Sequence, residues 1–171
     1  MWRKLIPRRS SLFVALSIAT VRIGTGLLWT SNLEWKEPPE FGCGPSGSGG
    51  LCGWIERMGE YSMLRVHADF VQDVVLPNYE MFGYLVYLAE SLTGVLLILG
   101  LLTRFAAMLG LIQSLNLLVG LARVPEEWAW DYGMMVLLHL ALLGLAAGRY
   151  FGLDVFLHER WGNTRVRALV T

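Results

Sequence analysis

Four stretches of this chain, residues 11–33, 79–102, 105–122 and 129–148, are each apolar over close to the ~20 residues that an α-helix needs to cross the hydrocarbon core of a bilayer. That leaves few folds open. Backbone polar groups cannot stay unpaired in lipid, so apolar segments of this length span as helices. The sequence therefore predicts an all-α integral membrane protein: one membrane domain over residues 1–171, built as a four-transmembrane-helix up-and-down bundle. Composition agrees, since 54% hydrophobic and 16% charged residues are too apolar for an ordinary soluble domain of 171 residues. The first stretch follows Arg3, Lys4, Arg8 and Arg9 as a secretory signal would, but Arg22 interrupts it and no small-x-small cleavage site is evident. A retained helix is expected.

Charge sorts the connections into two sides. With the N-terminus in the cytoplasm, the inner side holds nine basic residues, Arg3, Lys4, Arg8, Arg9, Arg104, Arg149, Arg160, Arg165 and Arg167, against two acids, Asp154 and Glu159. The outer side then holds four, Lys36, Arg57, Arg65 and Arg123, against eleven acids. Cytoplasmic flanks retain Lys and Arg, so both termini, with a tail over 149–171, are expected inside a multi-pass protein of the cell (inner or plasma) membrane, with the lipid bilayer as its first partner. A net charge of zero and the lack of any nucleic-acid-binding pattern argue against nucleic acid as a partner. Two cysteines and the scattered His67, His139 and His158 do not make a four-ligand metal site, and no flavin or haem ligand set is visible.

The outer connection, residues 34–78, divides by composition. Its first half, including the glycine-rich run 42–53, reads as irregular loop. Cys43 and Cys52 within it read as a structural disulfide in an oxidising compartment; a redox pair is the other reading, although the spacing is not C-x-x-C. Met63, Leu64, Phe70, Val71, Val74 and Val75 then recur at helical spacing opposite Arg65, Asp69 and Asp73. They predict an outer amphipathic helix between helices 1 and 2, over the mouth of the bundle, stopped by Pro77.

Each predicted span carries one polar residue near its midpoint: Arg22, Glu90, Gln113 and His139. In hydrocarbon such residues face the protein interior and find partners. Helical spacing puts each on a face of small or polar neighbours: Ala15, Ala19, Gly26 and Trp29 about Arg22; Gly83, Tyr87, Thr93 and Gly94 about Glu90; Ala106, Gly110, Asn116 and Gly120 about Gln113; Asp131, Met135 and Ala146 about His139. Two readings of this polar axis stay open. It is either a buried clasp, in which Arg22 and Glu90 neutralise one another and Gln113, Asn116 and His139 complete the hydrogen bonds, or a binding site. In the second, Arg22 recognises an anion or quinone oxygen while Glu90 or His139 exchanges protons, which makes these three the candidate catalytic residues. Trp29 and Tyr87 would line a ring-binding slot, with Gln113, Asn116 and Asp131 as further substrate- or quinone-binding candidates. Gly144 and Gly148 read either as packing within the bundle or as a dimer seam.

Three segments carry a family resemblance. They are Ala89-Glu90-Ser91-Leu92-Thr93-Gly94, Leu99-Gly100-Leu101-Leu102-Thr103-Arg104 and Gly148-Arg149-Tyr150-Phe151-Gly152-Leu153-Asp154. With an early Arg in the first helix, their order and spacing resemble the DoxX/DoxD family of small four-helix membrane proteins, over about residues 11–157. The family is named for a subunit of thiosulfate:quinone oxidoreductase, so the resemblance implies a quinone-linked membrane oxidoreductase, with quinone as cofactor and a redox partner subunit. It also marks Arg22, Glu90 and Asp154 as the family's recurring polar positions, without an assigned role. The alternative is a non-catalytic scaffold or anchor subunit of a larger respiratory or redox complex. Self-association is open under either.

Overall fold

A computed structural model describes residues 11–44 and 49–160. Arg3, Lys4, Arg8, Arg9, Arg165 and Arg167, on which the orientation argument partly rests, lie outside the described residues, as do residues 45–48 of the glycine-rich run. Among the described residues the regular elements are all helical: α1 (Leu12–Ser31), α2 (Gly50–Tyr61), α3 (Arg65–Phe70), α4 (Tyr79–Leu99), α5 (Thr103–Leu121), α6 (Ala129–Leu145) and α7 (Asp154–Arg160). Three helical runs are long and apolar enough to cross a membrane, Leu12–Lys36, Arg65–Leu99 and Thr103–Leu121. The fourth apolar helix, α6, has 17 residues.

The chain packs as two compact units. The first takes in α1, Ser91–Gly110 and the described residues from Leu138 onward. Its helix α1 starts where the Ser11 hydroxyl accepts the Val14 N–H at 3.3 Å, an N-cap, and it buries Ala15, Ala19, Arg22, Gly26 and Trp29, the face anticipated from spacing. Gly26 and Gly94 let α1 and α4 cross backbone to backbone, since a Cβ on Gly26 would sit 2.7 Å from the Gly94 carbonyl oxygen.

Charged side chains finish the helix ends of this unit. The helix α4 stops in a left-handed turn at Gly100 (φ 63°), with Gly100 N–H on the Leu97 carbonyl and Leu101 N–H on that of Leu96. The fully buried Arg22 adds the charge such an end favours. Its Nη1 donates to Leu97 O at 2.6 Å and Ile98 O at 3.1 Å, and its Nη2 to Phe151 O at 3.3 Å and Tyr150 O at 3.4 Å. A Cβ at Gly100 would collide with that guanidinium and with Gly152. Asp154 does the converse at the start of α5, where Oδ1 accepts Leu102 N–H at 2.7 Å and Oδ2 accepts Thr103 N–H at 3.0 Å. Burial pushes the Asp154 carboxyl above the usual aspartate range, against the opposing pull of those donors and of Arg22.

Gly144 and Gly148 do not share one helix face. Ala146 is left-handed (φ 47°) and ends α6, so the four-residue repeat no longer aligns the two glycines on one helix face. Gly148 lies against Asp154 and Thr103, while a Cβ on Gly144 would meet nothing within 4 Å.

The second unit comprises Asn32–Glu90 and Leu111–Leu137. Its core gathers Phe41, Leu51, Ile55, Met58, Val71, Leu121 and Val124. Here the expected loop is partly helix: α2 (Gly50–Tyr61) begins inside the glycine-rich run and was not anticipated. Gly42, Gly49 and Gly50 have positive φ, and a Cβ on Gly50 would strike the Gly42 backbone, so glycine permits the close approach beside the Cys43–Cys52 disulfide. Burial of Leu51, Ile55 and Met58 then outweighs the weak helix propensity of Gly50 and Gly53.

Pro77 does not stop the amphipathic segment. A π-turn (Val71–Val75) and a 3-10 turn (Leu76–Asn78) with Pro77 in its first turn lead from α3 directly into α4. Changed hydrogen-bond spacing absorbs the missing N–H.

Removing the Asp154 carboxylate leaves two amide hydrogens without their acceptor, one of them buried, at about 1–3 kcal/mol each. Asp154→Ala should therefore lower the melting temperature of the detergent-solubilised protein. Gly144→Ala, into open space, should leave it unchanged or raised. Equal melting of the two variants would remove the capping role.

Candidate functional site

The second unit encloses a cavity of about 590 Å³. Each helix contributes to it for a local reason. The core-facing stripe of α2 brings Trp54 and Ile55; α4 brings Phe82, Val86 and Glu90 at spacings of four; α5 brings Ile112, Gln113 and Asn116 from adjacent turns. Residues Trp35 and Lys36 arrive from the 3-10 turn Glu34–Lys36, and Tyr132 and Met135 from α6. The walls are mainly apolar and aromatic, with a few convergent polar groups, as small-molecule sites commonly are.

Its electrostatic centre is an ion pair. Lys36 Nζ stands 2.8 Å from Glu90 Oε1 and 2.6 Å from Oε2, and the two side chains are 4% and 5% exposed. The same ammonium lies 4.6 Å from the centroid of the Trp35 ring. The Trp35 indole N–H donates to Asn32 Oδ1 at 2.7 Å, which fixes the ring. A second polar group flanks the cavity at Asn116, whose Oδ1 stands 3.0 Å from His67 Nε2. His67 Nδ1 is 2.8 Å from the Ser62 hydroxyl, and that hydroxyl also donates to Val119 O at 3.3 Å. With its amide oxygen on this side, Asn116 accepts from Nε2–H of His67.

The residues expected to form one polar axis fall into two groups. Glu90, Gln113 and Asn116 line the cavity. Arg22, Trp29 and His139 belong to the first unit, where Arg22 is occupied by the four carbonyls already described and the Trp29 indole N–H donates to His139 Nε2 at 2.9 Å. An Nε2 that accepts this bond carries no proton, so the imidazole is neutral. Tyr87 packs against the Phe41 core, and Asp131 is exposed; neither is among the cavity-lining residues.

The expected neutralisation of Glu90 by Arg22 is therefore replaced by Lys36. Arg22 finds the negative end of a helix dipole, and the flexible four-carbon stem of lysine lets its ammonium reach Glu90 from a residue beyond the first helix. By sequence Lys36 is legible only as an outer charge. The one available signal is that it stands alone among Glu34, Glu37 and Glu40 beside a tryptophan. His67 gives no signal beyond its place in the amphipathic segment.

Residues 53–121 match the family model described as DoxX. Over these residues the chain is similar to the DoxX family. The matched stretch runs from α2 to the end of α5 and so includes Glu90, Gln113, Asn116 and His67 of the site. Lys36 and Tyr132 complete the cavity from outside the matched residues. No curated protein and no solved structure matches the chain.

Breaking a buried ion pair from one side leaves the other charge uncompensated, at about 3–5 kcal/mol. Lys36→Met and Glu90→Gln should each destabilise the protein, and the double variant should recover part of the loss. Arg22→Met combined with Glu90→Gln should show no such recovery. Thermal unfolding of these variants, of Arg22→Met alone and of the parent protein in one detergent measures this; purely additive losses for Lys36 and Glu90 would mean that they do not pair.

Proposed function

We propose that this protein binds a membrane quinone in the cavity beside Lys36 and Glu90, as the membrane component of a quinone-linked oxidoreductase of the thiosulfate:quinone type. The observation that carries the reading is an aromatic-walled apolar cavity with a buried ion pair in its wall. Such a cavity suits a flat apolar ring, and its polar groups suit ring oxygens. The ammonium of Lys36 can donate to a carbonyl oxygen, and Glu90, relieved of part of its partner, can hold or release a proton at its carboxylate. Quinone supplies an acceptor for two electrons and two protons. The electrons would come through a partner subunit, which the resemblance to the DoxD subunit supports.

In this reading α6 is the fourth crossing, since 17 residues fall within the ~17–25 that span a bilayer, and the basic flanks lie in the cytoplasm. The disulfide loop then lies outside. After mild reduction of intact cells, a membrane-impermeant maleimide should label Cys43 and Cys52. Labelling only after the cells are opened would invert the orientation.

Ligand binding is tested on the protein in lipid nanodiscs, with a long-tailed quinone as the probe. Trp35 and Trp54 line the cavity, so their fluorescence should be quenched saturably. Replacing Asn116 by Leu should weaken binding by about tenfold, the equivalent of ~1.4 kcal/mol for a lost hydrogen bond. Absence of saturable quenching would reject the quinone site. Saturable binding without thiosulfate-dependent quinone reduction in native membranes would reassign the protein as a quinone-holding, non-catalytic subunit.

A further inference from the structure

The cavity combines a hidden charge with an apolar opening. One part of its wall holds the ion pair, almost fully buried, while another includes Ile112, 58% exposed, and Phe70, 49% exposed. Ile112 is the middle residue of the 19-residue α5, a helix long and apolar enough to cross a membrane. A cavity-lining side chain exposed at that position puts an opening at hydrocarbon depth. An opening to water would instead favour a hydrated, polar rim.

The segment beside the opening has the same character. The helix α3 is tied to α5 by the His67–Asn116 hydrogen bond and by Met63 N–H on Val119 O at 2.8 Å. Three residues after His67, the Phe70 ring meets the edge of Phe82 on α4, with centroids 6.2 Å apart. So α3 bridges α5 and α4 beside the cavity, and Leu64 just before it and Val66 on it are exposed and apolar. Those side chains suit lipid as their surroundings.

We infer that the cavity opens sideways into the bilayer beside α3, past Ile112 and Phe70, and takes its ligand directly from the lipid. The ligand class is a lipid-borne amphiphile. An oxygen-bearing head lies against Lys36 and Asn116, and an apolar tail passes Ile112 and Phe70 into the acyl chains. Charge complementarity fixes which end goes in, because the buried ammonium and carboxylate have polar partners to offer a head group and nothing for a tail. Glu127, the third charged lining residue, is engaged by the Tyr132 hydroxyl at 2.8 Å. The inference shares its cavity with the quinone reading, which is one case of it; the side opening does not depend on the head being a quinone.

Photolabelling separates the two. The full-length protein is placed in nanodiscs containing a trace of phosphatidylcholine with a diazirine on its acyl chain, irradiated, digested and mapped by mass spectrometry. Adducts should appear on Glu90 and Met135 within the cavity, as well as on the outward Leu137 and Leu140. Ile112→Trp, a change at an exposed position that narrows the opening, should reduce the inner adducts to background and leave the outer ones unchanged; Ile112→Ala should increase the inner ones. Labelling confined to outward residues in the wild type, or inner labelling equal in all three proteins, would overturn the side opening. Competition with a long-tailed quinone addresses the head group alone. Glu90 adducts that persist at saturating quinone overturn the quinone reading, while their presence still supports an opening to lipid.

Discussion

A charge held in an apolar interior must have its partner there, and the pairing of Lys36 with Glu90 imposes that requirement on everything around it. The lysine belongs to a short turn after α1, so the pair draws that turn, with Trp35, against α4. Phe41, five residues on, enters the core, where Gly83 leaves room for its ring: a Cβ there would lie 2.9 Å from it. The disulfide and the glycine contact between Gly42 and Gly50 then turn the chain into α2, which supplies Trp54 and Ile55 to the cavity. The local geometry of the outer segment is thus compatible with one ion pair and organised about it.

The first unit meets the same electrostatic problem in another way. Arg22 and Asp154 pair chiefly with backbone: the guanidinium takes carbonyls at the end of α4, and the carboxylate takes amides at the start of α5. Helix ends leave groups of opposite sign unsatisfied, and a fixed side-chain charge answers each. His139 and Trp29 likewise satisfy one another. In the second unit the polar residues Glu90, Gln113 and Asn116 border open volume. That difference, charges spent on the backbone in one unit and facing a cavity in the other, is why the functional reading rests on the second.

The stretch that matches DoxX supplies residues of α2, α3, α4 and α5 to that cavity, and the Glu34–Lys36 turn and α6 beyond it complete the wall. Glu90 lies inside the matched residues and Lys36 outside them. An ammonium beside the carboxylate gives the cavity a donor that Glu90 in its ionised form lacks, which bears directly on the oxygen-bearing ligand class proposed for it.

The sequence alone determined the apolar helical runs and, for α1 and part of α4, the face they bury, because a period of about 3.6 residues assigns each side chain a direction; Asn116 and Asp131, placed inward by the same rule, are exposed. The buried stripe of α1 from Ala15 to Trp29, and the inward placement of Glu90, Thr93 and Gly94 on α4, were legible in this way. Periodicity assigns a direction but no partner, so Arg22 and Glu90, placed together by depth, each found a different one. The reach of the Lys36 stem, the dipole at the end of α4, the helix that begins at Gly50 and the left-handed Ala146 between Gly144 and Gly148 depend on what the folded chain brings near. Only the tertiary structure decided these, because burial of a core stripe and the pairing of buried charge are stronger than the local propensities a sequence displays.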